Sequence, residues 1–495
     1  MNVVPGYLPR SRRSVERGRF KFTCVSRLWL HRRVLGLKPP AIGIALFSVV
    51  LVALGGCAGT PIAAERAARD GVTQLGDLLR PARATPALPA LQPASPLETY
   101  LRYAVLNHPA VEGAYYEWRA AVEDITPARS QADPQFTFEA DISDMLMTFM
   151  PGLMVDYMTP GKRAAMGREA AAVSDVAYRH YVTTVLRTAA ALRKAWIELA
   201  FIEEVVGLRE AALGEITQSL ALSGADYSTG FGMATLEIQV RSVNSAEHVR
   251  TELGALQDRR AAARTRFKSA LGISPTDADP AWPATGLTAS TLPSEKKLWQ
   301  LARTANPEIA TMQAMVDMTV AGVEVAQKTR TPDFGLGGMA DFKADPLMVR
   351  PTGTVTLPIW RDKIAATIAA AEARHDAAIA RLDAEQLHVA AELARMFYMV
   401  RESDRTIAYI ETTALPNLER VLASAVAGLQ TGMSRAAEIP ATRLMALDME
   451  LERLGALRQR EDAVTDISLM IADVAPAGAP LIGRDGGQNK VTNIK

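Results

Sequence analysis

Gln135-Phe136-Thr137-Phe138-Glu139-Ala140-Asp141 alternates apolar and polar side chains, the period-two pattern of a half-buried strand. It follows Pro134, and a partner segment, Leu153 to Met158, closes just before Pro160, so both prolines fall where a missing N–H and a fixed φ are tolerated. From Lys162 to Leu222 the chain then turns rich in Ala, Arg and Glu and nearly free of breakers. At 1.5 Å per residue such a helix would run about 80 to 90 Å, far beyond what a globular domain needs. A strand hairpin feeding a compartment-length helix is therefore the unit to look for elsewhere.

The unit recurs. Asn107-His108-Pro109 is matched by Asn306-Pro307-Glu308, Asp133-Pro134-Gln135 by Thr331-Pro332-Asp333, Thr159-Pro160-Gly161-Lys162-Arg163 by Leu357-Pro358-Ile359-Trp360-Arg361, and Tyr227-Ser228-Thr229-Gly230 by Leu429-Gln430-Thr431-Gly432. These landmarks keep one order at an offset near two hundred residues, as an internal repeat requires. The second unit has alternating segments at Phe334 to Phe342 and Thr352 to Leu357, then a helical stretch from Lys363 to Leu415. In each unit a Gly-containing turn (Gly224 to Gly232; Gly428 to Gly432) precedes a return helix (Ala234 to Leu271; Arg435 to Ala472). The expected fold is mainly α with a small β part: two repeats, each one β-hairpin and one long helical hairpin.

Charge and cysteine usage narrow the function. Lys+Arg of 55 against Asp+Glu of 54 leaves a net charge of +1, so no global field favours nucleic acid. The two cysteines, Cys24 and Cys57, precede the bulk of the chain, which excludes a disulfide framework or thiolate site within the body. Arginines crowd the first 33 residues, and the apolar stretch from Ala41 to Leu54 has the length of a signal-peptide core. It ends at Leu54-Gly55-Gly56-Cys57, which resembles the lipobox of bacterial lipoproteins. That resemblance implies removal of residues 1–56, a covalent lipid on Cys57, and, with Ala58 following, sorting to the outer membrane. Residues 57–96, rich in Ala, Pro and Arg, read as an irregular, lipid-anchored tether.

The repeated order of Asn-Pro, Pro-bounded hairpin, long helix and Tyr227-x-x-Gly230 or Leu429-x-x-Gly432 turn is similar to the TolC family of outer-membrane efflux proteins. The resemblance covers about Leu97 to Ala475. It assigns residues 97–275 to a first repeat, 276–297 to a linker and 298–475 to a second, and 476–495, rich in Gly and polar residues, is expected to be a disordered tail. It implies that three copies close a twelve-stranded β-barrel in the outer membrane, above a periplasmic α-barrel. Implied partners are two further copies of the chain, a periplasmic adaptor, an inner-membrane pump and outer-membrane lipid, and no nucleic acid. Beyond the lipid on Cys57 no cofactor is implied, and no enzymatic activity.

By the same resemblance Gly230, Gly232 and Gly432 would sit at the periplasmic tip. Glu237 and Glu438, just after the turns, are candidates for acidic rings that narrow the pore, with Arg435 as an ion-pair partner. Solvated helix-surface charge is the competing reading. Met145, Met147, Met150, Met154 and Met158 cluster at the first hairpin; thioethers are soft ligands, but lipid-facing or loop packing is the favoured explanation. The six histidines are scattered, and no structural metal site is expected. The compact hairpins and Leu357-Pro358-Ile359-Trp360 are closer to heavy-metal cation efflux members, with multidrug or small-molecule export or type I secretion as the alternative. A lipid-anchored coiled-coil scaffold would explain the helices but not the strands, and the sequence carries no Gly-x-Ser-x-Gly elbow, His-Glu-x-x-His helix or phosphate loop.

Overall fold

The computed structural model describes residues 61–80, 86–142, 146–229, 236–284, 286–341, 347–431 and 438–471. In chain order the elements are α1 (Ala63–Leu79), α2 (Leu97–Asn107), α3 (Pro109–Glu123), α4 (Ile125–Arg129), β1 (Gln135–Ile142), β2 (Leu146–Tyr157), α5 (Pro160–Thr229) and α6 (Leu236–Ala270). The second repeat supplies α7 (Glu295–Thr304), α8 (Pro307–Lys328), β3 (Asp333–Asp341), β4 (Met348–Thr356), α9 (Arg361–Tyr409), α10 (Leu415–Thr431) and α11 (Glu438–Met470). A π-helical turn, Ile410–Ala414, joins α9 to α10. The described residues are thus mostly helical, with one small sheet.

The 70 residues of α5 make a helix about 105 Å long. Gly224 lies inside it rather than in the turn expected from Gly224 onward, and Gly428 lies inside α10. The second long helix also runs past the expected stop at Leu415. Pro416 has no N–H to offer and its ring crowds the carbonyl four residues back, so the wider π turn just before it lets the helix continue. The 35 residues of α6 and 33 of α11 are much shorter than these long helices and leave part of each to other partners. The near half of α5 is covered by α3 and α8, helices that follow directly on the short segments expected at 97–106 and 298–305.

The two Asn-Pro landmarks start α3 and α8, with proline in the first helical turn. Asn306 Oδ1 accepts from the N–H groups of Glu308 and Ile309, each at 2.9 Å, and so caps α8. In the first repeat the inserted histidine takes that role, His108 Nδ1 accepting from Ala110 at 3.2 Å. Asn107 is thereby released, and its Nδ2 donates instead to the carbonyls of Leu271 and Gly272 at the end of α6. Gly272 has φ +74°, and a Cβ there would come 2.9 Å from the Asn107 carbonyl oxygen.

Residues 63–79 are a folded helix, which corrects the irregular tether expected over this part of 57–96. Ala68, Val72, Leu75 and Leu79 recur at helical spacing and are buried with Tyr115 and Trp118 of α3 and Tyr181 of α5. Glu65, only 1% exposed, fixes the start of α1 by accepting from Arg129, Thr126 and Arg69. Burial raises the carboxyl's pKa, but these hydrogen bonds outweigh it and hold the group at about 2.

The segment between the repeats is strapped down. Leu287 donates to Glu204, and Ser290 donates to Glu461 through both its N–H (2.8 Å) and its hydroxyl (2.5 Å). Arg460 in turn donates to the Ser290 carbonyl and to Asp404, tying α11, α9 and the strap together. One stretch, Glu295–Lys328, is long and apolar enough by composition to cross a membrane. It is two helices interrupted at Asn306-Pro307 and packed on α5 and α9, so the fold uses it as packing.

Candidate functional site: a two-faced sheet and the helical tip

Both hairpins join in one antiparallel sheet of order β1-β2-β3-β4, with β2 and β3 pairing across the repeat boundary. Register fixes its faces, because residues directly opposite each other point the same way. Phe136 faces Leu153 and Phe138 faces Pro151; Leu153 faces Gly338, Val155 faces Leu336 and Tyr157 faces Phe334; Phe334 faces Val355 and Ala340 faces Val349. Among the described residues that face carries no charge. Gln135, Thr137, Glu139, Met150, Met154, Asp156, Asp333, Met339, Asp341, Arg350, Thr352, Thr354 and Thr356 are on the other.

In the two inner strands, β2 and β3, exposure runs opposite to that of a soluble sheet. On the apolar face Phe136 is 70% exposed, Phe138 67% and Leu336 69%. On the polar face Met150 is 4% exposed, and Gly152, Gly335 and Asp341 are buried. Glycines permit this enclosure: a Cβ on Gly152 would meet Met339 Cγ at 2.6 Å and Thr137 Oγ1 at 2.9 Å, and one on Gly335 would meet Met154 Cε at 2.7 Å. The sheet is therefore apolar outward and polar within. Strands of 8, 12, 9 and 9 residues also bracket the length a tilted strand needs to cross a bilayer, about 9 to 11 residues.

The register corrects the methionine reading. Met150 and Met154 belong to the polar face, because along β2 they alternate with Pro151, Leu153 and Val155. Parity in the sequence holds that signal. Met158 follows the strand, Met145 lies outside the described residues, and Met147 falls within β2.

At the other end, Glu237 opens α6 and Glu438 opens α11, both exposed. Arg241 donates to Glu237 at 2.6 Å one helical turn away; both side chains are solvent-exposed, so this pair contributes little to stability. Gly230, Gly232, Gly432 and Arg435 lie outside the described residues, as does Cys57. Further along the helices, ion pairs that no sequence pattern announces link the two helical hairpins, Arg443 with Glu215 at 3.1 Å and Arg209 with Asp448 at 3.4 Å, while Arg209 also pairs with Glu252 (3.2 Å) within the first hairpin. Glu198 accepts from Arg259 and Arg458, whose guanidinium groups both sit over the Phe201 ring, at 5.6 and 4.8 Å. Burial raises the Glu198 pKa, but the hydrogen bonds from the two arginines prevail and lower it.

Among the described residues an unclosed sheet with its apolar side outward is thus joined to a helix about 100 Å long. The chain has the fold of the TolC-like outer-membrane efflux channels. Residues 298–472 match the outer membrane efflux protein family, and no curated protein matches the chain by sequence. Among solved structures it is similar to the outer-membrane channel OprN (15% identity, TM-score 0.65, covering 79% of this chain and 95% of that one). It is similar also to CusC (16%, 0.64, 78% and 97%) and to VceC of Vibrio cholerae (18%, 0.62, 78% and 97%). At these identities the likeness concerns the fold, and it spans nearly the whole of each channel protein. The TolC-like repeats account for the landmark order, from the capped helix through the hairpin to the long helical pair.

Proposed function

We propose that the protein is the outer-membrane duct of a tripartite efflux system, passing solutes through a water-filled tunnel without covalent chemistry. The outward apolar face of the sheet carries this reading. Among the described residues β1 and β4 each pair on one side only, and such edges are not tolerated in lipid. Two further copies supply the missing edges and close twelve strands around a polar lumen. Trimerisation is then part of folding.

The lipid on Cys57 would hold the N-terminus at the outer membrane while α5, α9 and α10 reach into the periplasm. Adaptor and pump would dock at the tip, where Glu237 and Glu438 form acidic rings and Arg435 supplies a countercharge that docking displaces. Heavy-metal cations are the favoured cargo. On the described polar face Glu139, Asp156, Asp333 and Asp341 accompany Arg350, and Lys162 pairs with Asp333 at 2.6 Å, so carboxylates outnumber cations. Multidrug or small-molecule export is the second reading, since the same wall is wide enough in chemistry to pass polar organic solutes.

The test is a deletion strain, with and without plasmid rescue, challenged with copper, silver, zinc, cobalt and cadmium salts beside dyes, detergents and antibiotics. Rescued hypersensitivity to metals supports cation efflux. Rescued sensitivity to organic compounds alone replaces it by multidrug export, and no phenotype in any arm contradicts an efflux role.

A further inference from the structure

On a wall of Gln, Thr, Glu and Asp, methionine is out of place. Met150, Met154, Met339 and Met348 nevertheless all belong to the polar face of the sheet. Two of them are registered with glycine: Met339 stands opposite Gly152, and Met154 opposite Gly337. Met339 lies over Gly152, and the Met154 methyl lies over Gly335, at 2.6 and 2.7 Å from where a Cβ would be. These two thioether chains therefore lie along bare backbone, and Met150 and Met154 flank Gly152 along β2 on the same face.

Filling space over glycine needs only an apolar side chain, and β-branched Val or Ile would do it in a strand with better propensity. What methionine adds is a neutral, polarisable sulfur, a donor that prefers Cu(I)-like soft ions to hard ones. Carboxylates border the same sulfurs. Glu139 is directly opposite Met150, and Asp156 is two residues from Met154 on the same face. They favour cations in general, and the thioethers choose among them. Harder divalent ions lack a chelate here: no group of three His, Cys, Asp or Glu able to hold a metal occurs among the described residues.

We propose that Met150, Met154 and Met339 form a transit site for soft monovalent metal ions, Ag⁺ and Cu⁺, on the inner wall of the β part. This rests on the duct reading, because the face is a lumen wall only in a closed barrel. Each sulfur is a weak ligand alone, and three copies of the chain repeat the set around the wall. Many weak sites in series let an ion enter and leave, which a passage requires and a storage site does not.

The experiment uses the full-length protein in detergent, labelled with ¹³C-methyl methionine and titrated with silver nitrate in chloride-free buffer. Single Met→Leu variants assign the signals. The methyl signals of Met150, Met154 and Met339 should move at silver concentrations at least tenfold below those that move exposed Met445, and zinc nitrate should leave them in place. Equal response of all four methyls, or none from the three, overturns the site. The M150L/M154L/M339L variant should conduct K⁺ like the wild type in planar bilayers but lose the effect of silver on that conductance; retention of the silver effect also overturns it. Failure of the wild type to conduct K⁺, with the methyl shifts intact, refutes the duct and leaves the thioether site standing.

Discussion

Leu336 lies near the middle of β3, between Val155 of β2 and Gly353 of β4, on the face without charges. With 69% of its surface exposed, the side chain has no protein to pack against in the protomer, so Leu336→Arg leaves internal packing intact. If that face meets lipid, the cost is that of an arginine near the bilayer midplane, about 2 to 4 kcal/mol per strand. Threefold repetition brings this to about 6 to 12 kcal/mol per trimer, comparable to the whole stability of an ordinary fold. The control is Glu139→Arg, on the opposite face of β1, which should cost little and shift the pore away from cations. Folding into phospholipid vesicles, scored by the heat-sensitive trimer band on cold gels, reads both. Leu336→Arg should fail to give the band and Glu139→Arg should give it; the reverse outcome would place lipid on the polar face and refute the assignment.

Breaking the buried carboxylate that fixes α1, Glu65→Gln, should cost about 3 to 5 kcal/mol by removing the buried charge that accepts from Arg129, Thr126 and Arg69, measured as earlier loss of α1 in limited proteolysis. Because the folded carboxyl is held near 2 against an ordinary 4.5, its contribution is present in full above pH 4.5 and fades as pH falls towards 2; thermal melts over that window should show the loss in wild type but not in Glu65→Gln. Gly272→Ala should cost at least about 1 to 2 kcal/mol, since φ +74° disfavours any Cβ and this one meets the Asn107 carbonyl; an unchanged melting curve would contradict the α6 junction described. Asn306→Ala removes the cap of α8 and should cost about 0.5 to 2 kcal/mol in the same assay. Glu237→Gln with Glu438→Gln should lower cation selectivity without altering trimer stability, and unchanged reversal potentials would remove both residues from the pore.

Periodicity carries most of the fold. The prolines at 134, 160, 332 and 358 bound strands whose alternation is visible in the sequence, and the breaker-free stretches after them can only be long helices. What escapes are places where one residue type has two meanings. Gly224 and Gly428 have the look of turn residues but stand inside helices, where a long neighbouring packing surface outweighs the modest cost of glycine. His108 displaces Asn107 from the cap, which no spacing rule announces. Before residue 96 the Ala, Pro and Arg content points to a tether, although Ala68, Val72, Leu75 and Leu79 already mark a helix face. The methionines group by proximity along the chain, and only parity sorts them onto the faces of the sheet. Ion pairs between the hairpins, such as Arg443 with Glu215, join residues more than two hundred positions apart and require the fold to be seen.

If three copies of this chain enclose one water-filled pore, current should flow through the trimer and through nothing smaller. Single-channel recording of the purified full-length protein in planar bilayers tests this most directly, in KCl gradients before and after heat dissociation of the trimer. Discrete, cation-selective conductance steps are expected from the trimer and none from the dissociated protein. Bilayers that stay silent with intact trimer, or a conductance that persists after dissociation, would contradict the enclosed pore.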